Sequence, residues 1–599
     1  MPPQSPIDIA DPVLRLSVSV DGNPLVEYYP VLSLEITHAV NWISTAELSI
    51  LFSNPATGSL DMQDKDKVKP KSTIEITAAY GTDGAEATIF KGVIQKKKIK
   101  FASAGSYALE ISCSHSARNM TFNKNALQVN GKSDSDVIKE ILGTYPGLSC
   151  KVDSTNGIQE SMPKPNGSSD WDFILSRAEF NGLVVILDDD TVNVTAPSLS
   201  TASVLRVAFG ESIHSFDAEI DTEDQPATVK SSSTADDDTE LVVNANEPTL
   251  PEPLKSAISA SSDQQAEPRE LMATPGMSRD ELQAWADGRL LRIRMNALKG
   301  QVTFIGNGQI KPGDMIELAG IGPTYDGNVY VSSVRHTIDE GNWTTTVKFG
   351  LEDKSVTEKK GFASAAAGGR LPPINGLQEA TVKKLSGDPK SQYRVQIELN
   401  SQSANPLPIW AKVANFYATN SAGAVFYPEP EDIVVVGFFD NDPTSPVIIG
   451  SLYSTKQVCP SPMPDENNYF KSLTTKSKLK IGFDDQKKIL KIETPAGNMI
   501  TLDDDGKSIE LKDQNSNTIT LNSDGITMKT EKDINMKATG NITLEATGKL
   551  NLSAKQDAAL TGMNITHSAD IGFTAKGKAS AEISATGQTT VKGGMVMIN

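Results

Sequence analysis

Close to its C-terminal end the chain repeats itself every eight residues. Ile534-Asn-Met536-Lys-Ala538-Thr-Gly540 is followed by Ile542-Thr-Leu544-Glu-Ala546-Thr-Gly548 and by Leu550-Asn-Leu552-Ser-Ala554-Lys-Gln556. Each unit carries three apolar positions on one face of an extended strand, tapering to Ala, with polar residues between them and a corner after. Six extended residues span about 20 Å, and a two-residue corner cannot complete a coil around a core. A single-chain β-helix needs roughly 20 or more residues per turn, whereas three chains giving one octad each supply about 24 per level. The octad therefore predicts an intertwined homotrimer in which each strand hydrogen-bonds to its neighbours. With levels about 4.8 Å apart, the region from Lys471 onward makes a needle of roughly 60–80 Å.

Composition supports a separate set of packing rules there. From Lys471 to Asn599 there is no Trp, Tyr or Arg, the only aromatics are Phe483 and Phe573, and the only proline is Pro495. Rings are excluded where three side chains meet at one axis. The stretch carries 17 Lys against 15 acidic residues, a net of +2, so the residues before it carry −21 against an overall −19. Short two-point strands precede the octads: Ile500/Leu502, Ile509/Leu511, Ile519/Leu521 and Ile526/Met528, with Asp505-Gly506 and Asp524-Gly525 as turns. From Met563 the apolar positions move from even to odd numbers (Met563, Ile565, His567, Ala569, Ile571, Phe573, Ala575), as one extra residue near Gly562 would cause.

At 599 residues the chain is too long for one domain. Its acidity disfavours nucleic acid as a partner. The longest apolar run, Ile433 to Phe439, is far below the roughly 18 residues of a membrane span. The start has no basic or apolar leader, so cytoplasmic synthesis without a signal peptide is expected. Three cysteines (Cys113, Cys150, Cys459) argue against a disulfide framework.

Along the chain the reading is mainly β and multi-domain. Residues 1–221 form an N-terminal hub, a barrel or sandwich with a helical insertion. Its first strand alternates Leu14, Leu16, Val18 and Val20, and its helices begin near Asp134 and after a Ser169 N-cap. Residues 222–270 read as an acidic, Ser/Pro-rich loop. A second hub barrel occupies 271–358, with the capping box Ser278-Arg-Asp-Glu281 opening a helix. Then come a linker at 359–373, a small five-stranded barrel at 374–455, a neck at 456–494 and the needle at 495–599.

Three motifs resemble VgrG, the trimeric spike protein of type VI secretion systems, and its relatives in extracellular contractile injection systems and phage tails. Ser169-Asp-Trp-Asp-Phe-Ile-Leu-Ser-Arg-Ala-Glu179-Phe-Asn-Gly182 is similar to the hub motif of that family. The run from Gly423 through Tyr427-Pro-Glu-Pro-Glu-Asp432 and Asp440-Asn-Asp-Pro443 to Tyr453 is similar to its OB-fold motif, except that Glu431 stands where the family has Gly. Gly593-Gly594-Met595-Val596-Met597-Ile598-Asn599 is similar to its blunt needle end. The resemblance implies β-barrel hub domains matched to a hexameric inner tube, an OB-fold barrel leading to the needle, and baseplate and hub proteins as partners. It also implies a PAAR-type tip cap on residues 593–599, effector cargo, and a target membrane pierced on firing from an extracellular or cell-anchored particle.

No cofactor and no catalytic role are expected. Among His38, His115, His214, His336 and His567 none has metal-ligand spacing, and no nucleophile elbow or Walker loop occurs. Asp188–Asp190 and Asp503–Asp505 read as solvated turns. Only about 40 residues separate Tyr453 from Pro495, too few for a catalytic insert. His567 falls on the inward parity, where three imidazoles would ring the axis; a hydrated polar ring, an outward histidine, and a metal or anion site all remain open. The alternative functions are a polysaccharide-degrading tailspike, which generally needs paired carboxylates and sugar-stacking rings, and an adhesive fibre.

Overall fold

Leu14–Val20, the first alternating segment, pairs antiparallel along its whole length with Thr73–Tyr80. The computed structural model describes residues 4–598 apart from 8–12, 26–29, 52, 55–58, 61–67, 82–85, 102–106, 159–161, 166, 235–238, 260–266, 274–276, 359–369, 401–407 and 462–464. The chain divides into two units, Met1–Leu452 and Tyr453–Asn599. Most of the linker at 359–373 lies outside the described residues.

In the first unit the two β regions on either side of 222–270 meet in one thirteen-stranded sheet. The joint is the antiparallel ladder between Val31–Ala39 and Gly327–Asp339, running from Ser333 opposite Ala39 to Asp339 opposite Ser33. Two cores pack on that sheet, one around Ile36, Leu48, Ile76 and Ile111, the other around Val302, Phe304, Val331 and Val347.

The insertion holds helices α1 (Asp134–Gly143) and α2 (Asp170–Phe180). Ser133 and Ser169 cap them by accepting from the amides of Asp136 and Asp172. The apolar face read from the spacing, Val137, Ile138, Ile141 and Leu142 with Trp171, Ile174, Leu175 and Ala178, forms a third core.

The segment 222–270 corrects the reading as a loop. Val229–Thr234, Glu240–Asn244 and Arg269–Met272 make a three-stranded sheet, and Leu254–Ser259 is a short helix, α3. The sheet packs under α4 (Arg279–Asn296), whose capping box between Ser278 and Glu281 forms as expected. Alternating Val229, Ser231 and Ser233 are buried, and the Ser231 hydroxyl donates to the Leu282 carbonyl (2.9 Å). Serine serves here as a small core residue whose polar atom is satisfied, which composition alone reads as disorder.

Residues 378–452 close into a five-stranded barrel, in the order Gln378–Lys384, Val395–Leu399, Ile409–Val413, Pro446–Leu452, Ile433–Phe438. Ala380, Val382, Val395, Ile397, Val434 and Val436 are fully buried in its core.

The second unit is of another kind. Seven five-residue strands, from Phe470–Thr474 to Gly525–Lys529, run as one antiparallel meander, each paired only with its neighbours in sequence. Among the described residues after Lys529 no strand pairing occurs.

Candidate assembly interface

The hub motif is consumed by the fold. Asp170 is buried and pairs with Lys164 (3.0 Å) while accepting from the Tyr145 hydroxyl (2.6 Å). Arg177 donates twice to Asp134 (2.8 and 2.7 Å), which also accepts from Asn181. Glu179 accepts from Arg292 of α4 (3.1 Å) and from the Val356 amide (3.0 Å). Gly182, at φ +70°, lets the backbone of α2's end touch α4: a Cβ there would stand 2.9 Å from the Gly288 Cα. Asp170, Arg177, Glu179 and Asn181 each tie α2 to another part of the fold, whereas Ser169, Asp172 and Ser176 bond within the helix and its cap.

The Asp188–Asp190 turn is likewise internal. Asp188 pairs with Lys311 and Asp190 with Lys91, and the Asp189 carbonyl accepts from His115 Nε2. Three histidines converge behind that turn. His38 Nε2 donates to the Ile89 carbonyl (2.8 Å) and its Nδ1 faces the Ser44 hydroxyl (2.9 Å). His336 Nδ1 faces the Thr345 hydroxyl (3.0 Å), and its ring lies 6.4 Å from that of His38. Burial holds all three below the usual imidazole range, His336 down to about 3, and the Asp189 and Asp190 carboxylates near His38 and His115 offset only part of the loss of water. Single-residue spacing hid this cluster, since its members come from three distant segments. The Asp503–Asp505 run is a turn in which Asp503 accepts from the Gly506 amide (2.6 Å).

In the OB motif, Asp432 accepts from the Glu429 amide (2.8 Å) and Asp442 from the Thr444 amide (2.8 Å), closing the turns before and after Ile433–Phe438. Glu431 has φ +72°. The family's glycine at that position suits a left-handed backbone, and the departure here leaves an L-residue in it.

The second unit presents the uncovered surface. Register places Leu473, Ile481, Ile492, Ile500, Leu511, Ile519 and Met528 in one row across all seven strands. Phe483, Leu490, Leu502, Ile509, Leu521 and Ile526 form a second row beside it. The opposite face carries Lys480, Lys491, Thr501, Glu510, Thr520 and their neighbours. Thus one face is an apolar wall, yet Ile500, Leu502, Ile509 and Leu511 are about 40% exposed and Ile526 is 73% exposed.

Beyond it the octad period is visible in the backbone. The chain bends at 531–532, 539–540, 547–548 and 555–556, then at 563, and again at 570–571, 578–579, 586–587 and 594–595. One step, from 556 to 563, is seven residues long. The change of parity therefore comes from a residue fewer, not from the extra residue expected near Gly562. Met563 and Ile571 sit at bends, outside the extended runs between them. Between the bends the three residues of the apolar parity run Ile534/Met536/Ala538, Ile542/Leu544/Ala546, Leu550/Leu552/Ala554 and Ala558/Leu560/Gly562. After the short step they are Ile565/His567/Ala569, Phe573/Ala575/Gly577, Ala581/Ile583/Ala585 and Thr589/Val591/Gly593. The third place is always Ala or Gly. Among the described residues from 533 onward no backbone hydrogen bond is made within the chain, and every residue is exposed.

At the end, Gly593 and the bend at Gly594 and Met595 lead into Val596, Met597 and Ile598, all exposed. Asn599 lies outside the described residues.

Two families match the chain. The Alg8 N-terminal domain family matches residues 10–340. The type VI secretion system/phage-baseplate injector OB domain family matches residues 378–453, which hold the closed barrel and the motif from Gly423 to Tyr453. Among solved structures, the chain is similar to the tail protein from Neisseria meningitidis MC58, at 15% identity and TM-score 0.43, over 58% of this chain and 99% of that one. It is also similar to E. coli c3393, a component of the type VI secretion system (11% identity, TM-score 0.36, 73% of this chain and 99% of that one). A third is the Francisella PdpA-VgrG complex, half-lidded (11%, 0.40, 87% and 89%). No curated protein sequence matches. No described helix is long and apolar enough to cross a membrane.

Proposed function

The chain belongs to the Alg8 N-terminal domain family, and from that premise, together with its injector OB domain, we propose that it is the homotrimeric central spike of a contractile injection machine. A spike or baseplate-type role is the coarse content of the OB match. The finer reading is that residues 1–358 form the hub facing the inner tube and baseplate, the OB barrel leads to the needle, and the C-terminal unit is the needle itself.

One observation carries the trimer: a wall of thirteen aligned apolar side chains without a cover, continued by backbone whose amides and carbonyls have no partner in their own chain. Buried polar backbone groups are paired in almost every native protein, and exposed apolar area of this extent is rare in monomers. Two more copies supply both needs at once, since a threefold closes the apolar face inward and gives each extended octad a strand on either side. Covering the wall is worth on the order of 10 kcal/mol per chain at about 25 cal/mol per Å². A closed prism also leaves no strand edge for another protein to pair with.

Function then follows from shape. A needle built from backbone hydrogen bonds between three chains unfolds only by unwinding all three, which suits a tip pushed through a membrane. Residues 593–599 would receive the tip cap, and cargo would travel with it.

The test is light scattering on the full, untagged chain, followed by removal of residues 593–599. Three times 64.1 kDa is expected for the full chain and three times its own smaller mass for the shortened one, with loss of cap binding only in the shortened form. A folded monomer overturns the reading.

A further inference from the structure

His115 follows the strand Tyr107–Ser114 and opens a short helix, Ser116–Thr121, as its N-cap. Its own amide donates to the Ser44 carbonyl (2.9 Å), which holds it beside the strand Thr45–Leu51. Ring Nδ1 accepts from the Ala117 amide (3.0 Å), and Nε2 donates to the Asp189 carbonyl, in the turn that ends the insertion strand Val184–Asp188. The residue is 3% exposed. Ala117 and Met120 of the short helix pack in the same core as α1 and α2. One imidazole therefore ties sheet, short helix and insertion together. Both ring partners are backbone groups, and this fixes the ring: an amide only donates and a carbonyl only accepts, so Nδ1 must keep its lone pair. His38 and His336 differ, since each sets Nδ1 against a hydroxyl, of Ser44 or Thr345, that can reverse its role by rotating.

We propose that His115 is an acid-operated latch between the first unit's sheet and its helical insertion, released when a proton on Nδ1 sets two donors against each other at Ala117. The latch stands apart from the spike reading and needs no second chain. Asp188, Asp189 and Asp190 face the ring from the turn, with Lys311 pairing Asp188 and Lys91 pairing Asp190. Lys311 lies near Asp314 as well, His38 stands next to the ring with His336 behind it, and Arg118 on the short helix is exposed. The carboxylates draw a proton toward the ring, but two of the three already hold a lysine. Behind the ring a cavity of about 30 Å³, lined by His38, Ser44, Lys311 and His336, has room for one water and none for a solvated counter-ion. Loss of water thus keeps the latched ring neutral, whereas a freed imidazole takes its proton near pH 6.5. The closed form is complete above that pH and yields below it, because the open form binds the additional proton. One histidine allows a rise of up to about tenfold in opening between pH 7.5 and 5.5.

The experiment is hydrogen–deuterium exchange on the full chain at pH 7.5 and 5.5, with rates corrected for the intrinsic pH dependence of amide exchange. Opening of residues 116–122 and 188–192 should rise about tenfold at pH 5.5, while the strands Val31–Ala39 and Gly327–Asp339, which carry His38 and His336, stay unchanged. His115→Asn keeps an N-cap oxygen without a titrating nitrogen, so those two segments should exchange at one corrected rate at both pH values. His38→Gln should retain the response. An unchanged opening in the native chain, or an equal change in all strands, overturns the latch. So does a response that survives His115→Asn or vanishes in His38→Gln. Where His115→Asn does not fold, the native chain and His38→Gln still decide.

Discussion

Single residues show where local strain and burial are concentrated. Glu431 accepts a left-handed backbone to let its amide reach the Val382 carbonyl (2.8 Å), while its exposed carboxylate lies 3.5 Å from Lys383. Removing the carboxylate alone would mix the two effects, so the informative comparison is between two truncations. Glu431→Gly should exceed Glu431→Ala in stability by about 1 kcal/mol, since only the second keeps a Cβ in the left-handed region. Chemical denaturation of both variants reads that difference directly, and equal stabilities would mean that the turn relaxes to another conformation. Gly288 shows the limit of residue-level reading. In sequence it is a weak helix position; in space a Cβ there would approach the Gly182 Cα to 2.5 Å. The reason for that glycine lies 106 positions away, in a contact that no local pattern reveals.

Among elements, legibility depended on whether the pattern was self-contained. The helices α1, α2 and α4 were readable because cap and apolar face fall within one window of sequence. The strand Val229–Thr234 was not, because two of its buried positions are Ser231 and Ser233, and the Ser231 hydroxyl is satisfied only by the distant Leu282 carbonyl. The shared ladder between Val31–Ala39 and Gly327–Asp339 joins residues about 300 apart, beyond any periodicity. In the octads the period itself could be read, but the short step could not: a change of parity is the same for a residue gained or lost, and only the bend at 563 decides it. That register makes adjacent positions unequal in the proposed spike. Leu544→Lys would put three ammonium groups at one level of the axis and should abolish the trimer, a penalty of several kcal/mol per chain. Thr543→Lys points outward and should leave the mass unchanged. Comparable effects of the two on light scattering would mean that the octad faces are not distinguished.

At the scale of the whole molecule the two units are stabilised by different means, and pH separates them. His38, His115 and His336 belong to Met1–Leu452 and are buried in their neutral form, facing Lys91, Lys311 and the Asp188–Asp190 turn. Their folded pKa values lie below the unfolded value near 6.5, so the unfolded chain binds more protons as the pH falls. Their stability contribution is complete above about pH 6.5 and is lost progressively below it, by up to about 1.4 kcal/mol per pH unit for each histidine. Burial also raises the Asp314 carboxyl, beside Lys311. The second unit has His567 alone and derives its order from association in the proposed spike, so its melting should rise with chain concentration instead. Scanning calorimetry of the full chain in chelator should therefore give two transitions. Going from pH 7.5 to 5.5 should lower the first by several degrees and leave the second nearly fixed, while a tenfold dilution should do the reverse. If one transition responds to both variables, the hub and the C-terminal unit unfold as a single cooperative body, and a needle that keeps its order independently of the hub is excluded.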